Sequence, residues 1–308
     1  VFENAFLALE SWHLNGLDIT LSINASSHEV QQEGFSLFLK TLLDKYQGIN
    51  PNTVEIELLE TAAFDNFERT SKILEDCQRL GVSIAIDDFG TGYASLHYLK
   101  KLPMDTLKID KSFVIDILHT SSSISIIEAS VGLARAFNVE VVAEGVESKG
   151  HGEVLLQLGC TIAQGYVIAK AMPAENVTAW IASYKGFSSW AKVERLNDAQ
   201  RTILYASVEH RGWIYSFENF ITDNNNPPHL NASSCYLGQW INNCSSEEYI
   251  SQPEFKRLQM FHTEIHNYAD KLLLSNENEK SAGIKKLKHL HHKIIKSLES
   301  LITLIADK

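Results

Sequence analysis

The chain has 308 residues, 44% of them hydrophobic, enough to bury a full core and to suggest two domains or one large one. Its 27 basic and 38 acidic residues give a net charge of -11, which argues against a broad nucleic-acid footprint or an anionic membrane patch but leaves room for a small, locally bound anion. No apolar run reaches the roughly eighteen residues that span a bilayer, no signal peptide opens the chain, and Cys77, Cys160, Cys235 and Cys244 are few and scattered, so a reducing, cytoplasmic compartment is expected.

The chain opens inside a helix: Phe2, Ala5, Phe6, Leu9 and Trp12 keep a three-to-four spacing until Gly16. A short alternating strand, Ile19 to Asn24, ends on an amide, and a helical stretch with Phe35, Phe38, Leu39 and Leu42 on one face follows. Val54 to Leu58 reads as a strand with Glu57 near its end, and a helix from Ser71 to Leu80 leads to the alternation Val82–Ile86. Asp87 and Asp88 come directly after it, and Gly90 and Gly92 then free the backbone to turn, so two carboxylates are expected in a loop at the tip of a buried strand. Neighbouring carboxylates repel unless a cation lies between them, and this pair suggests a divalent metal. Strand Leu107–Asp110, helix Ile124–Phe137, strand Val139–Glu144 and strand Ile162–Ile168 complete the series.

Strand and helix alternate throughout, the pattern of a parallel sheet built from βαβ units. At or near the C-terminal end of the six strands stand Asn24, Glu57, Asp87, Lys108, Glu144 and Gln164, each able to bind metal or phosphate. A closed (β/α) barrel brings all such ends to one mouth, whereas an open sheet would spread them along an edge. The expected fold class is therefore α/β with a TIM-like barrel, followed by an α-helical bundle.

The motifs E-L-L-E at Glu57–Glu60, D-D-F-G-T-G-Y at Asp87–Tyr93, L-K-I-D at Leu107–Asp110, A-E-G-V-E at Ala143–Glu147 and Q-G-Y at Gln164–Tyr166 resemble the EAL-domain family of bacterial cyclic di-GMP phosphodiesterases, modified TIM barrels. The resemblance covers roughly residues 1 to 180. It implies that Asn24, Glu57, Asp87, Asp88 and Glu144 hold two Mg²⁺ or Mn²⁺ ions, that Lys108 contacts the attacking water and the phosphate, that Glu144 is a ligand or general base, and that Glu147 and Gln164 are pocket residues. It makes Glu60 the glutamate that steadies the loop Phe89–Tyr93, and it implies a homodimer. The chemistry fits these residue types: hard cations take carboxylate and amide oxygens, and two of them serve both sides of an in-line displacement at phosphorus. The family's Glu-Ala-Leu motif is not in the sequence, and six strands stand where eight are expected, so Val1 is expected to be an internal residue of a longer protein whose first strands are absent. Leu59 and Ala171 stand where the family usually has threonine and proline.

Residues 187–199 lack periodicity and read as a linker between a first domain, 1–186, and a second, 200–308. The second is helical. Ile203, Ser207, His210, Ile214, Phe217 and Ile221 share one stripe, Leu258, His262, Ile265, His266, Ala269 and Leu273 another, and Ile284, Leu287, His291, Ile294, Leu298, Leu301 and Ile305 a third. His262 and His266, at i and i+4, face one point, and Cys235 with His210 would complete a tetrahedral Cys-His₃ site suited to zinc. His289, His291 and His292 read as a solvated cluster, with inward-facing His291 a rival ligand. H-R-G-W at His210–Trp213, C-Y-L-G-Q-W at Cys235–Trp240 and H-T-E-I-H at His262–His266 resemble the chemoreceptor zinc-binding (CZB) domain, which implies zinc or oxidant sensing that modulates an attached output domain.

The expected activity is hydrolysis of cyclic di-GMP to linear pGpG under zinc-dependent control. The rivals are a non-catalytic cyclic di-GMP receptor coupled to a zinc or redox sensor, and a sensor that signals through dimerisation.

Overall fold

The computed structural model describes residues 1–64, 66–92, 95–223, 228–244 and 247–306. Tyr93, part of the expected loop Thr222–Ser234, and the side chain of Ile305 lie outside the described residues. The chain divides into two compact units, one of Val1–Ile115 and Ile126–Val193, the other of Asp116–Ser125 and Glu194–Lys308.

Six strands build the first unit: β1 (Leu21–Asn24), β2 (Val54–Leu59), β3 (Ser83–Phe89), β4 (Thr106–Ile109), β5 (Glu140–Ala143) and β6 (Ile162–Ala163). They pair in sequence order, every neighbour parallel, as a curled α/β sheet of the TIM-like type. Among the described residues β1 and β6 do not pair with each other, so the sheet is open between them. Alternation decides what each strand shows to its two sides. Val54, Ile56, Leu58, Ile84 and Ile86 are fully buried in the core that also takes Phe6 and Leu9 of the helix Phe2–Leu14 and Leu39 of the helix Phe35–Lys45. The opposite face is polar and layered. In a lower layer Glu55 accepts hydrogen bonds from Ser22 Oγ at 2.7 Å and Thr106 Oγ1 at 2.6 Å, the second reaching across β3, where Ala85 leaves room. Two residues further along the strands, Glu57, Asp87 and Lys108 form the next layer.

Several elements differ from the sequence-based expectation. β3 does not stop before the aspartates: Asp87 and Asp88 lie inside it, and its pairing with β4 shifts register between Ile86 and Phe89. That irregularity coincides with a left-handed backbone at Asp88, φ 54°. β6 is two residues long rather than seven, because after Ala163 the chain folds back on the β5 loop, with Val146 N donating to Gln164 O at 3.0 Å and Val167 N donating to Val146 O at 3.1 Å. Phe38 is 45% exposed although its ring packs edge-on against Phe2. The segment expected as a linker is partly built into the first unit: Trp190 Nε1 donates to Lys149 O at 3.0 Å, and its ring fills the space beside Gly152.

The second unit is helical, with long helices Asp198–Asp223, Pro253–Leu273 and Glu277–Ala306 and a short one, Tyr236–Asn243. The first begins at a reciprocal cap in which Gln200 N donates to Asn197 Oδ1 and Asn197 N donates to Gln200 Oε1, both at 2.9 Å. Pro253 opens the second at a position where its missing N–H costs nothing. Ile203, Phe217, Leu258, Ile265, Ala269, Ile294, Leu298 and Leu301 are fully buried in one core, as the stripes require, while Leu272 rather than Leu273 closes the second stripe. Among the described residues no helix is long and apolar enough to cross a membrane.

Backbone crowding at the end of β6 gives a direct test. A Cβ on Gly165 would stand 2.2 Å from both the N and O of Val146. Gly165→Ala is expected to destabilise the first unit by about 1–3 kcal/mol or more, read as a lower denaturation midpoint in urea.

Candidate functional site

Two clusters of chemistry-bearing residues stand out, one in each unit. In the first, the strand ends converge on Lys108. Its ammonium lies 2.7 Å from Glu57 Oε1, 2.5 Å from Glu144 Oε1 and 3.4 Å from Asp87 Oδ1, so three strands deliver carboxylates to one cation. All four side chains are at most 14% exposed. Burial alone would lower the pKa of the ammonium, but the hydrogen bonds to Glu144 and Glu57 and the charges of Glu57 and Asp87 outweigh it, and the pKa is raised. Lys108 is held charged.

Glu144 is pushed the other way. Burial raises its carboxyl pKa against the pull of Lys108, and the charges of Asp87 and Glu57 add to the rise. Gln164 Nε2 donates to the same Oε1 at 2.9 Å, which fixes the carboxylate. Asp87 Oδ1 is buried without a hydrogen bond, although the Lys108 ammonium lies 3.4 Å away. Acceptor oxygens of Asp87, Asp88 and Glu144 lie within 4.8 Å of one another. A buried acceptor without a donor beside two further carboxylates is the donor set of a hard divalent cation, and these residues fit one.

Asp88 is held from behind. It shares a hydrogen bond with Asp110, which is itself buried and accepts from Ser112 N at 2.9 Å and from the Ser112 hydroxyl. Burial first, then Asp110 and Asp87, raise the pKa of Asp88, while the Ser112 and Lys111 bonds leave that of Asp110 lowered despite its burial. Asp110 was visible in the motif L-K-I-D but had no assigned role; a carboxylate immediately after the lysine strand was the available signal. Glu60 sits buried at the start of the helix Glu60–Phe64 and accepts from Gly90 N at 2.9 Å, tying the β3 loop to the end of β2. Asn24 stands at the end of β1 in register with Glu57 but exposed. Glu147 is exposed as well, and its backbone N–H reaches His151 Nδ1 at 3.4 Å.

In the second unit, nitrogens of His210, His262 and His266 lie within 4.8 Å of one another, and all three side chains are buried. Cys235 Sγ is 3.0 Å from His262 Nε2. His266 Nδ1 lies 2.8 Å from Leu230 O, a partner that can only accept, so the proton is on Nδ1 and Nε2 carries a lone pair. The Nε2 atoms of His210 and His266 are buried without a hydrogen-bond partner. Burial lowers the pKa of all three histidines, to about 4 for His262, which keeps them neutral. Burial raises that of the Cys235 thiol, against the donors Gly238 N and Leu237 N. Cys235 lies outside the group of three and touches it only through His262; three neutral imidazoles with a thiol beside one of them are donors of the kind zinc takes. Gly238 makes the approach possible, since a Cβ there would lie 1.7 Å from Ala232 O and 3.0 Å from His262 Cε1. His291 is not in this group of three; its Nδ1 is 3.1 Å from Nδ1 of His210, behind that ring, while His289 and His292 are exposed.

Residues 1–171 match the family model of the EAL domain, and residues 210–273 that of the chemoreceptor zinc-binding domain. The signaling protein YkoW of Bacillus subtilis is 35% identical over 181 residues, 59% of this chain and 22% of that protein. The bifunctional diguanylate cyclase/cyclic di-GMP phosphodiesterase MucR of Pseudomonas aeruginosa is 36% identical over 183 residues, 59% of this chain and 27% of that protein. This chain thus spans about a quarter of the length of these relatives. A solved structure of the MucR phosphodiesterase in complex with c-di-GMP superposes with a TM-score of 0.55 at 36% identity, covering 57% of this chain and 71% of that one. The chain belongs to the EAL domain family over residues 1–171 and carries a chemoreceptor zinc-binding domain over residues 210–273.

Proposed function

We propose that the first unit hydrolyses cyclic di-GMP to linear pGpG with the help of two divalent ions, Mg²⁺ or Mn²⁺, and that the second binds zinc and regulates that reaction. The observation that carries the first part is the convergence of Glu57, Asp87 and Glu144 on Lys108 at the ends of four parallel strands, beside Asp88. Relatives named as cyclic di-GMP phosphodiesterases support the substrate.

In this reading Glu57, Asp87, Asp88, Glu144 and Asn24 would hold the ions, which when bound would lower the pKa of a water and offset charge on the phosphorus oxygens. Lys108 carries its positive charge to where negative charge builds up on the phosphoryl group. Glu144 is a further ligand or, in place of that, the base that takes a proton from the incoming water, and the Gln164 amide orients it. Glu147 lines the substrate pocket. Glu60 fixes the β3 loop through Gly90. Asp110 and Ser112 hold Asp88 in its left-handed conformation.

In the second unit His210, His262, His266 and Cys235 form a closed set of four ligands, which leaves no open position for a substrate and makes the zinc structural or regulatory. The neutral histidines are ready to bind, while the protonated thiol must lose its proton first. A homodimer in a bacterial cytoplasm is part of the same reading.

Three measurements test it. The chain incubated with cyclic di-GMP and Mn²⁺ should yield pGpG on chromatography, with turnover lost on chelation and reduced by about 10²–10³-fold in Lys108→Met. Retained binding of cyclic di-GMP with no product would favour a receptor instead. Zinc should bind one per chain, and added zinc should change turnover in the parent chain but not in Cys235→Ser; a rate that ignores both ends the regulatory reading. Because the thiol is protonated in the free state and the histidines are not, zinc uptake near pH 7 should release close to one proton, measured by calorimetry in buffers of different ionisation enthalpy. Affinity should weaken as pH falls.

A further inference from the structure

We infer that His291, on the helix Glu277–Ala306, is a positioning residue for the zinc ligand His210: it accepts the Nδ1 proton of His210 and thereby keeps His210 Nε2 free to bind metal. The inference rests on the zinc reading above and extends it beyond residues 210–273, the stretch that matches the zinc-binding family model.

Three observations carry it. The two rings lie parallel, 7° apart in plane with centroids at 5.3 Å, and their Nδ1 atoms approach to 3.1 Å. Two imidazole nitrogens at that distance form a hydrogen bond only if one bears a proton and the other a lone pair. The other nitrogen of the His210 ring, Nε2, is buried and lies without a hydrogen-bond partner, and a ring nitrogen of His210 lies within 4.8 Å of those of His262 and His266. A proton on Nε2 would be stranded there, whereas a proton on Nδ1 has His291 to receive it. The tautomer that satisfies the buried atoms is therefore the one that binds metal.

His266 reaches the same state by a different route, donating Nδ1–H to the carbonyl of Leu230. Metal-bound histidines as a rule give their second N–H to a carboxylate, a carbonyl or a water. His210 gives its proton to another imidazole, one that lies half-buried on the last helix. Sequence periodicity puts His291 on an inward stripe and makes it a rival ligand; the structure sets it behind a ligand, one imidazole removed from the cluster. The consequence is that the Glu277–Ala306 helix must be docked for His210 to be fully prepared.

The test uses the full chain, stripped of metal by chelation and titrated with zinc against a chromophoric chelator. His291→Leu is expected to weaken zinc binding by about 10–100-fold, the range seen when partners of metal ligands are removed. His291→Asn, which offers an oxygen near the Nδ1 position, should recover most of the loss. Long-range ¹H–¹⁵N spectra of the metal-free parent chain should show His210 as the Nδ1–H tautomer, a state that a merely space-filling His291 would not impose. The same spectra remain decisive if the leucine variant fails to fold. An affinity of His291→Leu within about threefold of the parent, while His262→Ala loses zinc, would overturn the role of His291 alone. So would an Nε2–H tautomer at His210. A parent chain that binds no zinc would overturn the zinc reading, and this inference with it.

Discussion

A single buried ammonium organises the first unit. Lys108 brings its charge to the polar face of a parallel sheet, where carboxylates from β2, β3 and β5 meet it. Removing an ion from water costs several kcal/mol, and only close opposite charge with further hydrogen bonds offsets it. The sheet supplies both, since the side chains of Glu57, Asp87 and Glu144 reach Lys108 from neighbouring parallel strands even where those residues are not register partners. The arrangement carries more negative than positive charge, three carboxylates to one ammonium, before Asp88 is counted. That surplus is what makes the mouth a place for further cations.

The same logic recurs in the second unit with the opposite chemistry. There the groups are neutral: burial drives the histidines below their usual pKa and the thiol above its own. A cluster of buried nitrogens with lone pairs and too few donors is unsatisfied in the same sense as Asp87 Oδ1. Hard oxygen donors in one unit and borderline nitrogen and sulfur donors in the other also suit different metals. The acidic mouth suits an ion that arrives with part of its water shell, and the histidine cluster one that gives its water up.

Much of this was legible before any coordinates. The period-two runs at Val54–Leu58 and Val82–Ile86 and the three-four stripes at His210 and His262 are direct consequences of burial, so the sheet, the bundle and the residues meeting at each cluster could be read. What escaped depends on tertiary contacts that leave no periodic trace. β6 is short because Gln164–Val167 bonds to the loop at Val146, which lies far away in sequence. Asp88 belongs to the strand because a register shift absorbs its left-handed backbone, and nothing in D-D-F-G distinguishes that from a turn. Asp110 and His291 were both visible as residue types, yet their positions behind Asp88 and His210 follow only once two elements are packed together. Trp190 shows the same limit, since a segment without periodicity is anchored by one indole against Gly152.

The backbone of Asp88, at φ 54°, sits where only glycine is free of strain and where aspartate and asparagine are the best tolerated of the rest. Replacement by glycine would relax the chain and delete the carboxylate; asparagine would keep the conformation and discard the charge. Neither exchange keeps the carboxylate. A lineage that drifts toward greater stability at this position therefore drifts away from the acidic pair, and one that keeps the pair carries its strain from generation to generation. Loss of the acidic pair in such a protein needs no damaging event, because a comfortable substitution is enough.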